Sequence, residues 1–137
     1  EGVALRTSPT VWLASADYVH DMHAPVPLVL ADEPSIFRRL ALTALEQARV
    51  RWHTNYVAPT LVGIKAALRA GLGVTARSVE LLGPEMRVLG EKEGLPPLPD
   101  VTYFLWIRPD LINPLTRQVY DMLRTSLGLA QQGDAAA

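Results

Sequence analysis

The feature that most constrains this chain is a repeated alternation of short apolar runs with longer amphipathic stretches. Residues 10–14 and 28–31 are apolar and bounded by proline or polar residues, which predicts two buried strands. Residues 15–27, with Asp17, His20, Asp21 and His23, read as the loop between them. Over 35–49 the period becomes helical: Ile36, Leu40 and Ala44 recur every four residues, with Phe37, Ala41, Leu45 and Ala48 beside them. Ser35 is placed to cap that helix, and Asp32 and Glu33 precede its positive end. A strand over 51–57 follows. A second helix is expected with Pro59 as its first residue, Gly71 as its terminator and Leu61, Ile64 and Leu68 facing inward. Short strands at 74–77 and 87–89 flank a helical turn at 78–82. Residues 91–100 carry three prolines and read as a loop. Residues 101–108 read as a strand, Asn113-Pro114 opens a last helix ending near Gly128, and 131–137 read as a disordered tail. Such alternation predicts an α/β fold with a largely parallel sheet. Ligands of such sheets bind at the carboxyl ends of strands, beside helix N-termini, so the turns at 32–35 and 57–60 are the places to look.

Composition removes several classes of function. Thirteen Lys plus Arg against fourteen Asp plus Glu give a formal charge of -1, no electrostatic reason to expect nucleic acid or a membrane surface as partner. Cysteine is absent, which excludes disulfides and thiolate chemistry and permits the cytoplasm. The apolar runs are too short to span a bilayer, and residues 1–30 show no basic segment followed by a long apolar stretch, so no signal peptide is expected within them. The chain starts Glu1-Gly2 without Met and is expected to be a fragment.

Two stretches carry a resemblance. Pro27-Leu28-Val29-Leu30 followed by Pro34-Ser35-Ile36-Phe37-Arg38 resembles the strand, turn and helix of the second subdomain in LysR-type transcriptional regulators. Ala66-Ala67-Leu68-Arg69-Ala70-Gly71-Leu72-Gly73-Val74-Thr75 resembles that family's "VxAGLGVxxLP" stretch. Thr75-Ala76-Arg77 in place of a Leu-Pro ending, with Gly94-Leu95-Pro96-Pro97-Leu98-Pro99-Asp100, looks most like the LrhA/HexA/PecT-like branch, which implies control of motility, exoenzymes or virulence. The resemblance covers roughly residues 7–127. It implies a type 2 periplasmic-binding-protein-like effector domain: 1–15 a return strand and hinge of the first subdomain, 16–100 the complete second subdomain, 101–128 the closing strand and helix of the first, and 129–137 a tail. It also implies a small-molecule sensing module that is no enzyme and needs no cofactor. DNA would be reached only through an N-terminal helix-turn-helix outside this chain.

Candidate effector-binding residues follow, each with a plainer alternative. Ser35, Phe37 and Arg38 could hold a carboxylate with exposed N–H groups, a hydroxyl and a guanidinium, or Ser35 could merely cap while Arg38 pairs with Asp32. Pro59 and Thr60 offer another helix start facing the same cleft, or only a helix start. Ser15 aligns, by the resemblance, with the hydroxyl residue that ends the crossing strand and helps bind effector, and it could equally be an ordinary strand-end serine. Thr75 lies where the chain returns toward the first subdomain. Family clefts also use hydroxyl residues of the opening subdomain, so this chain alone is expected to bind effector weakly.

Other chemistries read poorly. His20-Asp21-Met22-His23 lies on a loop without a third clear ligand, so no metal site is expected. Ser15, His53 and Asp17 could form a triad only on paper, because no Gly-x-Ser-x-Gly elbow accompanies them. Gly71-Leu72-Gly73 ends a helix, whereas a dinucleotide fingerprint opens one. Trp12, Trp52 and Trp106 read as packing residues, and Arg38-Arg39 and Arg49-Val50-Arg51 as solvated faces. Strands at 10–14 and 101–108 are expected to lack sheet neighbours, which predicts a homodimer or higher homo-oligomer. The alternative reading is a solute-binding protein fragment of a transporter, which shares the fold and the cleft.

Overall fold

The computed structural model describes residues 2–106. The end of the expected strand past Trp106, the helix near 113–128 and the tail lie outside the described residues. In chain order the elements are β1 (Gly2–Ser8), β2 (Thr10–Ser15), β3 (Val26–Ala31), α1 (Ile36–Gln47), β4 (Trp52–Ala58), α2 (Leu61–Arg69), β5 (Thr75–Ser78), β6 (Met86–Leu89) and β7 (Val101–Trp106). Single 3-10 turns fall at Val79–Leu81 and Glu91–Glu93.

The chain forms two compact units, one of Pro9–Pro99 and one combining Glu1–Ser8 with the segment from Asp100 onward. Described residues of the latter form an antiparallel ladder of β1 and β7, from Gly2 opposite Trp106 to Ser8 opposite Val101, with an irregularity between Ala4 and Arg6. Residues 2–8, which carry no separate strand signal in the sequence reading, are therefore a strand of their own.

In Pro9–Pro99, two ladders meet at one point. β2 lies between β5 and β6, β3 pairs with β4, and Leu28 bridges Val74. Val29 N–H donates to the Val74 carbonyl at 2.9 Å and Val74 N–H to the Pro27 carbonyl at 2.8 Å. The strands thus follow the order β4, β3, β5, β2, β6. The expectation of a largely parallel sheet is corrected. β3–β4 and Leu28–Val74 are parallel because a helix crosses between them, but β2 runs antiparallel to both its neighbours. The expected open edge at 10–14 is corrected too, since β2 is paired on both sides, and β7 pairs with β1.

Side-chain alternation sends the two helices to opposite faces of this sheet. Trp12, Ala14, Leu28, Leu30, Val74 and Ala76 pack with Ala41 and Leu45 of α1. Leu13, Val29 and Ala58 pack with Ile64, Ala67 and Leu68 of α2. Of the two stripes on α1, Phe37, Ala41 and Leu45 are the buried one, while Ile36 is exposed. Pro59 is not the first helical residue, as expected from its preference for that position. Thr60 is the extended N-cap, accepting from Gly63 N–H at 3.1 Å, and the helix starts at Leu61. A side-chain oxygen that satisfies a free N–H outweighs the preset φ of proline. The stop is as expected: Gly71 follows the C-cap Ala70 at φ 77°.

The proline-rich segment after β6 is tied across β2. Trp12 Nε1–H donates to the Pro96 carbonyl at 2.7 Å, and the Glu93 carboxylate accepts from Gly90 N–H at 2.7 Å. That backbone bond, helped by Arg87, holds the Glu93 carboxyl below its ordinary pKa against a smaller opposing effect of burial.

Candidate functional site

β3 and β4 end side by side, with Ala31 opposite Ala58 and Asp32 N–H donating to the Ala58 carbonyl at 3.1 Å. From this carboxyl edge the chain leaves through residues 32–35 into α1 and through Pro59 and Thr60 into α2. Both helix starts are capped: Ser35 Oγ accepts from Arg38 N–H at 3.2 Å, as Thr60 Oγ1 does from Gly63. The junctions share an edge, but their helices depart over opposite faces. The two helix starts, expected to face one cleft, thus stand at one sheet edge with one on either side of the sheet. This is the arrangement of a topological switch point, where ligands of open α/β sheets bind.

Asp32 and Glu33 lie in the turn that leads into α1. Neither helix carries an acidic residue in its first turn, so nothing on the helices themselves offsets their positive ends. Arg38, partly buried, donates from Nη1 to the Ala31 carbonyl at 3.0 Å, closing the end of β3. A Glu33 carboxylate oxygen lies 3.5 Å from Arg38 Nε, within ion-pair reach but without hydrogen-bonding geometry, and that buried Nε has no hydrogen-bond partner. The partner is thus Glu33, not Asp32 as the sequence reading weighed. Phe37 is buried, and the Arg77 guanidinium lies over its ring, 4.4 Å from the centroid. Phe37 therefore serves as a platform that holds a second guanidinium beside the first turn of α1.

Sequence reasoning missed Arg77, although a signal existed: it stands where the Leu-Pro ending of the familiar stretch is replaced. β5 carries it toward the same edge, because Val74 is level with Leu28 and the strand runs on parallel to β3.

Of the seven expected residues, Ser35, Phe37, Arg38, Pro59 and Thr60 come together at this edge. Ser15 does not. Leu13 pairs with Thr75 and Thr10 with Ser78, so Ser15 lies at the opposite, amino-terminal edge of β3. Its Oγ accepts from Asp17 N–H at 3.2 Å, the plain strand-end role. Thr75 is buried within the sheet, two residues short of Arg77. The histidine loop is turned by its own residues, with Tyr18 hydroxyl 3.2 Å from His20 Nδ1 and Asp21 accepting from His23 N–H.

The Ser35 cap should be separable from ligand binding. Ser35→Ala is expected to cost about 1 kcal/mol of stability, measured by urea unfolding, through loss of one capped N–H. A loss below a few tenths of a kcal/mol would mean that the hydroxyl does not cap in solution.

Comparison with known proteins gives a consistent picture. Residues 1–128 match the family model described as LysR substrate binding domain. The chain is 52% identical over 123 residues to the HTH-type transcriptional regulator PecT of Dickeya dadantii (strain 3937), covering 90% of this chain and 39% of that protein. Among solved structures it is similar to the regulatory domain of HypT from Salmonella typhimurium in its apo form, with TM-score 0.71 and 15% identity, covering 93% of this chain and 65% of that one. It is similar also to the Synechocystis PCC6803 CcmR regulatory domain in complex with 2-PG, with TM-score 0.67 and 15% identity, covering 96% and 68%. At such identities the structural likeness shows the fold, a type 2 periplasmic-binding-protein-like α/β fold. None of these three is a solute-binding protein of a transporter.

Proposed function

The chain belongs to the LysR substrate-binding domain family, and we propose that it is the part of a DNA-binding regulator that senses a small anionic effector at the shared edge of β3 and β4. The observation that carries this is the gathering of Arg38 and Arg77 at the start of α1, with no acidic residue in the first turn of that helix. A carboxylate or phosphate placed there meets guanidinium donors and a helix dipole of the right sign. Ser35, Phe37, Pro59 and Thr60 shape the same edge, Ser35 and Thr60 by fixing the helix starts and Phe37 by holding Arg77. Ser15 and Thr75 are not part of this reading.

The chain spans 39% of PecT, so the activity of the whole protein is inferred here from a part. On this reading DNA is bound by a helix-turn-helix of the parent protein in the cytoplasm, and this piece performs no catalysis. Unit Pro9–Pro99 corresponds to the second subdomain of the effector domain, and β1 with β7 belongs to the first. Self-association is supported by β4, an edge strand among the described residues, with exposed Tyr56 and Val57, followed by exposed Leu61 and Val62.

The test is a thermal-shift series with acetate, succinate, malate, citrate and inorganic phosphate. A ligand that binds only the folded chain raises its melting temperature by mass action. Arg38→Gln is expected to weaken the best of these anions about tenfold, the loss of one charge-assisted bond. Equal shifts in the two proteins would contradict the proposal.

A further inference from the structure

A cavity opens beside β2 and β6 of the same unit. It has a volume of about 350 Å³ and is lined by Trp12 and Leu89 of the sheet, Leu95 and Leu98 of the proline-rich segment, Thr10 and Glu91, among others. It lies beside β2 and β6, next to β5, whose Arg77 stands opposite the lining residue Val11, whereas Ser35 and Thr60 follow β3 and β4. Its roof is fixed, because the Trp12–Pro96 hydrogen bond and the Glu93–Gly90 bond hold the covering segment in place. A volume of this size suits a small organic molecule.

Two features define what would fit. First, the lining is mostly apolar, with prolines and leucines around an indole, but Thr10 brings one unsatisfied polar group. Thr10 is 6% exposed, and its Oγ1 is buried with no hydrogen-bond partner. Such orphan hydroxyls are rare in folded proteins and gain a bond when a partner arrives. Rotation about one Cα–Cβ bond carries Oγ1 between staggered positions. Second, the charged residue of the lining is Glu91, and no Lys or Arg is among the lining residues. An anion is therefore disfavoured, the reverse of the preference at the β3–β4 edge.

We propose that this cavity is a second ligand site, taking a compact, uncharged, mainly apolar molecule with a single hydroxyl group. It is placed to influence the unit's borders. Thr10 and Leu98 each stand within two residues of the points where the chain passes between units, at Ser8–Pro9 and Pro99–Asp100. An occupant that stiffened β2 and the proline-rich segment would bear on both passages at once.

The experiment is an NMR titration of the ¹⁵N-labelled chain with 2-naphthol, repeated with naphthalene, for the unsubstituted chain and for Thr10→Val. Saturable shifts are expected at Thr10, the Trp12 indole N–H, Gly90 and Leu95, with the turns at Ser35 and Thr60 unmoved. Thr10→Val, which keeps the side-chain shape, is expected to weaken 2-naphthol about tenfold by removing one hydrogen bond while leaving naphthalene within about twofold. The spectrum of Thr10→Val itself reports whether it folds. Absence of saturable shifts, equal affinity of 2-naphthol for the two proteins, or shifts centred on Ser35 would overturn the proposal. Succinate binding at the β3–β4 edge, measured on the same samples, fails or succeeds independently.

Discussion

Replacing Gly73 with alanine is expected to destabilise the chain by about 3 kcal/mol, enough to leave much of it unfolded at moderate urea. Gly73 sits at φ 156°, and a Cβ there would lie 2.4 Å from the Pro27 carbonyl oxygen and 2.9 Å from its carbon. Neither backbone atom is free to retreat, since that carbonyl accepts from Val74 N–H and Pro27 is in β3. The hydrogen bond that suffers is one of the two joining the parallel and antiparallel halves of the sheet. Equilibrium unfolding followed by circular dichroism measures the effect. A loss below about 1 kcal/mol would show that the junction is looser than described.

Leu28→Ala is expected to cost a similar amount, about 3 kcal/mol, for a different reason. Leu28 is fully buried, faces the α1 layer with Leu30 and Ala41, and lies between Thr54 on β4 and Val74 on the other side. Truncation removes apolar contacts and leaves a void that sheet and helix cannot both close. The outer position Val88, which is exposed on the edge strand β6, provides the contrast. Val88→Ala should cost under about 1 kcal/mol in the same assay, and equal losses at the two positions would contradict the layered core.

Much of this was readable in advance because it is local. Helical periodicity in α1 and α2, the Ser35 cap and the Gly71 stop depend on neighbours a few residues apart. The run Val26–Ala31 is apolar at consecutive positions, which already signals a strand covered on both faces. What depends on strand pairing was not readable. The direction of β2 decides that Ser15 falls at the far edge from Ser35, and nothing in the 16–25 loop specifies that direction. Choosing between Asp32 and Glu33 as partner of Arg38 likewise required the geometry of the turn. Arg77 was passed over because a lone arginine at the end of a short strand has no local pattern, and the role proposed for it rests on its stacking on a phenylalanine forty residues earlier in the chain. The Thr10 hydroxyl was invisible for the same reason: being orphaned is a property of the fold.

The central claim is that α1's start, rather than the Ser15 edge, receives the effector's negative group. Its most direct test is an amide NMR titration with whichever small anion most raises the melting temperature. Shifts concentrated at Ser35, Arg38, Arg77 and Thr60, and lost in Arg38→Gln, are the predicted result. Shifts gathered instead around Ser15, Asp17 and Arg69 would contradict it.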